Sequence, residues 1–482
     1  MDELKMPLNM LSEQHLARLA GAAKDRVLTL GELVALGEEL KLPLSQIVVG
    51  EAMLREGKSF DGIIDECFAA FEHNLKALEQ GLESGNSFVL GTVATDLARQ
   101  KQGVLIDDVL IDRALVYTLA AEVGNHEVGL RPCAGTGDSC PYTGLLKALM
   151  ENGVAPERVR LTSALILKVG SIFRAGKVTT GCNMEGYGAG AAATAAALTD
   201  LRGGTAAQVA KAMIMAISPT IGVPCTPRVV TRGLCATHIG GAILIGNLAS
   251  NLILKSTLPV DIDIDVTIAM AARIHREGAP AITTVNVKYL KPYFKKREQV
   301  EALLAPELAS RDAAAGDRVL AEAREELRGM MATCRPLTQT FGEVVIGGSS
   351  IAVGSPTNMA RIAHALKRGR ISKIEIDLTK DLYSRRAINV PAILMGAVFG
   401  SHTSDGAMYA KVMDMPEVRA IDISLKELDV PEVQRIRITA EERSVWLDSR
   451  NRGGARVAIV NAEPSREAAI EAAHTLGIQV VD

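Results

Sequence analysis

The run from Gly186 to Leu198, GYGAGAAATAAAL, constrains the chain more than any other stretch. It would make a strange surface and makes sense as the start of a buried helix. Each glycine in a helix costs roughly 1 kcal/mol against alanine. Glycines here therefore point to a close approach of backbone to another helix, a ligand or a cofactor. The wider composition agrees, at 48% hydrophobic but only 3% aromatic. Small residues let helices pack tightly, so deeply buried helices are expected. The 482 residues suit two to four domains at roughly 100–200 residues each. They can bury a large core.

Charge narrows the partners. With 53 basic and 56 acidic side chains the net charge is -3, which gives no reason to expect nucleic acid or an anionic membrane. Scarce aromatics also argue against base stacking. Asp2, Glu3 and Glu13 stand where a signal peptide would carry a basic segment before an apolar one. The apolar run Ile239 to Leu254 is broken by Asn247 and Asn251. It falls short of the roughly 20 residues that cross a bilayer and reads as a buried helix. The expectation is a soluble, cytoplasmic protein with no nucleic-acid or membrane partner. Seven cysteines without secretion signals suggest reduced thiols or metal ligands rather than a disulfide framework.

The expected architecture is multidomain. A mainly α-helical body with buried Gly/Ala-rich helices spans 1–335, and a C-terminal α/β (α+β) domain spans 336–482. Residues 1–85 form a helical lead-in, where Leu16, Leu19, Val27, Leu30 and Val34 recur at helix-like spacing. Arg311 to Arg328 is a charged helical stretch. Around Pro336 the pattern changes: Val344–Ile346 is strand-like, GGSS (347–350) opens a turn, and Met359 to Leu366 is helical. Ile371 to Leu378 alternates like a half-buried strand. Gln434–Ile438, Ser444–Leu447, Arg456–Val460 and Ile478–Val481 are further strand candidates, with a helix over Glu467–Leu476. Residues 434–482 are a possible small regulatory subdomain.

Free cysteine often behaves as a small buried hydrophobe, and Cys67 and Cys334 are left with that reading. Cys182 differs, because it directly precedes the Gly/Ala-rich helix. The exposed N–H groups and dipole of a helix start lower a thiol's pKa. Cys225 lies between Pro224 and Pro227, and Cys235 soon follows Gly233, so their segment reads as a constrained loop. Periodicity alone does not bring the three sulfurs together. No compact C-x-x-C spacing exists, which argues against a zinc ribbon.

GCNMEGYGAGAAATAAALTDLRGG (181–204) resembles the iron–sulfur-dependent L-serine dehydratase family. It has that family's Gly-Cys, a Glu three residues later, a Gly/Ala-rich helix and Gly-Gly. IGVPCTPRVVTRGLC (221–235) is similar to the family's second cysteine stretch, with cysteines 43 and 10 residues apart along the chain. PCAGTGDSCPYTG (132–144) resembles its glycine-rich active-site loop, and EVGNHEVGL (122–130) fits ahead of it. This alpha-like match covers about residues 30–285. VIGGSSIAVGSPTNMARIAHAL (345–366) and FGSHTSDGA (399–407) resemble the beta region, placing His402 and Asp405 near the site. Here the beta-like part follows the alpha-like part, the reverse of the fused enzymes.

The resemblance implies elimination of the β-hydroxyl of a small amino acid, giving pyruvate and ammonia from L-serine without pyridoxal phosphate. It assigns Cys182, Cys225 and Cys235 to a 4Fe–4S cluster whose open iron is a Lewis acid. Substrate binding falls to Gly135, Thr136, Gly137, Asp138 and Ser139, with Ser349 and Ser350. Glu185, His126 and His402 are the candidates for the general base. A homodimer is expected. Cys133 and Cys140 flank the loop, as buried small residues or as a resting-state fourth ligand. The chain departs from the family at Thr226, where an Asp is usual, and at Ile351, where a His follows the two serines. It also has no cysteine near its C-terminus. A cysteine desulfidase, a non-catalytic iron–sulfur sensor and a metal-free α/β binding protein are the competing readings.

Overall fold

A computed structural model describes residues 11–24, 26–100, 105–131, 139–175, 187–221, 234–294, 296–304, 306–332, 338, 342–347, 353–429 and 432–481. The chain divides into two compact units, Met1–Arg324 and Glu325–Asp482. The division falls inside the Ala315–Met331 helix, ahead of residue 336.

The first unit is helical. Several of its helices begin where side chains satisfy the open N–H groups of a first turn. Thr29 caps Leu30–Leu40 and Thr205 caps Ala206–Ile217, each through a reciprocal capping box with Glu32 or Gln208. The lead-in helices share the main core: Leu19, Leu30, Leu33 and Ile47 pack in one cluster with Leu145, Leu165 and Ala196.

The Gly/Ala-rich run forms the Gly190–Leu201 helix, buried from Gly190 through Thr199. Its neighbour Leu234–Lys255 approaches at Gly246, where a Cβ would fall 2.5 Å from Thr194 Cβ. The Val109–Val128 helix is buried over most of Ile111–Gly124, including Asp112, Thr118 and Glu122, as expected of an interior helix. A Cβ on its Gly124 would lie 2.0 Å from the Ala77 carbonyl oxygen of Glu72–Glu83. Small residues here bring backbones into contact.

Leu234–Lys255 runs longer than the apolar stretch suggested. Its Ala236–Lys255 portion is long and apolar enough, by length and composition, to cross a membrane, and half of it is buried in the unit. Arg202 donates to Asn247 Oδ1 at 2.8 Å and Ser250 Oγ at 3.0 Å. A guanidinium bonded to the middle of the helix suits a protein interior better than hydrocarbon. Beyond it, no described residue from Arg276 to Ala332 is buried.

The second unit holds a mixed five-stranded sheet, ordered β2-β1-β3-β4-β5. The strands are β1 Ile371–Thr379, β2 Asp422–Leu428, β3 Val433–Ala440, β4 Val445–Arg452 and β5 Arg456–Glu463. β1 and β2 are parallel; the other pairs are antiparallel. Ile374 faces Ile438, Ile376 faces Ile436, and Ile436 faces Leu447 across the ladder. All are fully buried, in one core cluster with residues of Ser355–Leu366, Arg386–Phe399 and Arg466–Thr475.

Two expectations are corrected here and one strand is added. Val344–Ile346 is no strand: Ile346 N–H meets only the Thr403 carbonyl, at 2.8 Å. Ile478–Val481 makes an isolated bridge from Val480 to Val457 rather than a strand. β2 was not foreseen at all.

Candidate active site

The described part of the site is built on the last turns of Val109–Val128. Glu122 and His126 sit four residues apart, hence on one helix face. Glu122 is 2% exposed. Its Oε2 accepts from Cys140 Sγ at 2.8 Å and from Asn125 Nδ2 at 3.5 Å. Its Oε1 lies 3.3 Å from His126 Nε2. His126 Nδ1 lies 2.6 Å from Ser87 Oγ. That hydroxyl already accepts the N–H groups of Val89 and Leu90, at 3.1 and 3.0 Å. Its proton is therefore the one directed at Nδ1, and a neutral His126 carries its own proton on Nε2, toward Glu122. Both ring nitrogens are engaged, so His126 would exchange protons through Ser87 or Glu122.

The flanks of the 132–138 stretch are pinned beside this cluster. Asn74 holds both backbone groups of Arg131, accepting its N–H at 2.7 Å and donating to its carbonyl at 3.1 Å. Ser139 Oγ reaches the same carbonyl at 3.3 Å. Ser139 is fully buried and precedes the Cys140–Glu151 helix.

Three helix starts meet next to it. A Cβ on Gly190 would touch Pro141 Cγ at 3.1 Å and Ala242 Cβ at 3.2 Å. The Tyr187 and His238 rings lie 4.8 Å apart, with Gly241 under Tyr187. Cys140 packs in one cluster with Ile239 and Ala236. The starts of Cys140–Glu151, Gly190–Leu201 and Leu234–Lys255 thus converge. The stretches leading into them carry Cys133, then Cys182 and Glu185, then Cys225.

Most of the expected site residues lie outside the described residues: Cys182, Cys225, Glu185, Gly135, Thr136, Gly137, Asp138, Ser349 and Ser350, with Cys133 and Cys334. The same holds for the Cys235 side chain, although its backbone opens Leu234–Lys255. Among the described residues, no group of three or more His, Cys, Asp or Glu could hold a metal ion. A cluster would fit the converging helix starts, whose open N–H groups and positive dipole ends favour thiolates.

His402 belongs to the second unit. Its side chain is 48% exposed, with Nε2 3.6 Å from Glu343 Oε2 and Nδ1 2.8 Å from Ser404 Oγ. The same Glu343 oxygen accepts from Thr403 at 2.9 Å and Asn358 at 3.3 Å. Asp405 caps a short helix through Met408 N–H.

Sequence reasoning missed Ser87, Asn74, Glu122, Tyr187 and His238. Only Glu122 had a visible signal, its four-residue spacing from His126. No family model matches the chain, and no curated protein matches it.

Proposed function

We propose that the chain is an iron–sulfur-dependent lyase that removes the β-substituent of a small α-amino acid, with L-serine the first substrate to try. Cys182, Cys225 and Cys235 would hold a 4Fe–4S cluster, without pyridoxal phosphate, in a cytoplasmic homodimer. The observation that carries this reading is the convergence of three helix starts behind cysteine-bearing stretches. Their combined N–H groups favour thiolates and an anionic substrate in one place. When bound, such a cluster supplies an open iron as Lewis acid for the departing β-group.

The chain's own groups divide the remaining work. Residues 135–139, of which Ser139 bonds the Arg131 carbonyl that Asn74 also holds, would bind and orient the substrate carboxylate. The Ser87–His126–Glu122 chain would carry protons at the edge of that loop. A second reading, cysteine desulfidation, draws on Thr226 and Ile351, where the chain departs from the serine enzymes.

The test is iron and acid-labile sulfide per chain after strictly anaerobic purification, for wild type and Cys182→Ala. About four irons per wild-type chain, as a 4Fe–4S cluster requires, and brown colour lost in the variant are expected. No iron in the wild type after reconstitution sinks the reading. Pyruvate and ammonia from L-serine, or sulfide from L-cysteine, then separate the two lyases.

A further inference from the structure

The Leu234–Lys255 helix packs one side against Val109–Val128, Cys140–Glu151, Gly190–Leu201 and Ala206–Ile217. Its outer side is apolar too. Leu244 and Leu248 are 41% and 54% exposed, with Ile245 and Leu252 half-buried beside them. The outward positions are Thr237, Gly241, Leu244, Leu248, Asn251 and Lys255, at intervals of four, three, four, three and four residues. That alternation is the seam of a coiled coil. From Ala236 to Leu254 the helix carries no Asp, Glu, Lys or Arg. An exposed apolar face of this kind marks an interaction surface.

We infer that this face pairs with the same face of a second copy, the two helices running antiparallel about a two-fold axis at the level of Gly246. The intervals read the same in both directions. The axis therefore sets Leu244 against the partner's Leu248, twice, and Thr237 against the partner's Lys255. A two-fold interface needs a patch that complements itself. Here the apolar centre meets itself, and the one charge, at the end, meets a neutral hydroxyl. Parallel pairing would instead set Lys255 against the partner's Lys255. Hydrocarbon suits the face less well, because Asn251 points outward and Arg202 is bonded to the middle of the helix. The 22 residues give a strip of about 33 by 10 Å. That is less than the roughly 800 Å² per partner of a standard interface, so a reversible dimer with a micromolar Kd is expected. The inference rests on the lyase reading only in giving its homodimer a face, and needs neither cluster nor substrate. A monomer carrying its cluster would sink the pairing and spare the lyase chemistry.

The experiment is sedimentation velocity of the full chain from about 1 to 100 μM, a range that brackets a micromolar Kd. It compares wild type, Leu244→Glu, Leu248→Glu and the double variant Leu244→Glu with Leu248→Lys. Both leucines are exposed, so the variants keep the fold, which circular dichroism checks. Wild type should dimerise reversibly, and each single variant should associate about tenfold more weakly or worse. The double variant should recover the dimer, because antiparallel pairing sets each new carboxylate against a new ammonium of the partner. A monomeric wild type, a dimer indifferent to the single substitutions, or a double variant that stays dissociated overturns the inference. Flotation with phosphatidylcholine–phosphatidylglycerol vesicles is the last arm. Wild type should stay behind; if it floats with the lipid and Leu248→Glu does not, the face belongs to a membrane and the inference falls.

Discussion

Glu122 and Ser87 show what can and cannot be read one residue at a time. The carboxylate gathers a thiol, an amide and an imidazole, and its four-residue spacing from His126 is written in the chain. Ser87 is not legible in that way, because its partner is 39 residues off and nothing local marks it. The same limit applies to His364. Its ring Nδ1 donates to the Ala397 carbonyl at 2.8 Å, and burial holds its pKa below the ordinary 6.5, against the opposing pull of that hydrogen bond. Because the folded value is depressed, the unfolded chain takes up the proton first as pH falls. The stability tied to a neutral His364 is present above about 6.5 and lost as pH drops through the folded value. Urea midpoints of the second unit should therefore fall between about pH 7.5 and pH 5, and His364→Gln should flatten that fall. An unchanged slope in the variant would assign the effect to other groups.

Among elements, Leu234–Lys255 offers a matched pair of glycines. A Cβ at Gly246 would fall 2.5 Å from Thr194 Cβ and 2.8 Å from the Ala191 carbonyl oxygen, whereas one at Gly240 meets only Leu115 Cδ2, at 3.4 Å. Gly246→Ala should lower the unfolding free energy of the helical unit by about 1–3 kcal/mol, because the helix axes must separate. Gly240→Ala should leave it level or raise it by up to about 1 kcal/mol through helix propensity. Thermal unfolding of both variants decides, and equal effects would deny that backbone contact sets this packing. The buried Gly/Ala helix was legible because a run of small residues has few other uses. β1, β3, β4 and β5 were legible from alternation and turn residues. β2 was not, since Asp422, Lys426 and Glu427 blur the apolar period of a partly exposed strand. Val344–Ile346 has strand composition but pairs with no strand among the described residues, and ladder partners, not β-branched residues, make a strand.

For the whole chain, the helical majority and the presence of a C-terminal domain with strands and helices followed from patterning, whereas the parallel β1–β2 pair that makes the sheet mixed did not; each unit has a hydrophobic core of its own. The site was legible only as motifs, because spacing along a chain does not say which helix starts meet. The two margins of the sheet are guarded differently. Charged side chains occupy β2, the outermost strand on one side. On the other, the end of the chain lies along β5: Val457 N–H bonds the Gln479 carbonyl at 3.1 Å, and Val481 N–H returns to the Val457 carbonyl at 3.0 Å. An open strand margin is a template for another chain, and residues 479–481 cover this one at Val457. Removing residues 479–482, which spares the buried Ile478, should leave the chain folded but prone to concentration-dependent association by light scattering. A monodisperse truncated chain would show that the charges of the sheet suffice, and an aggregating one that the contact at Val457 shields this margin from a second copy.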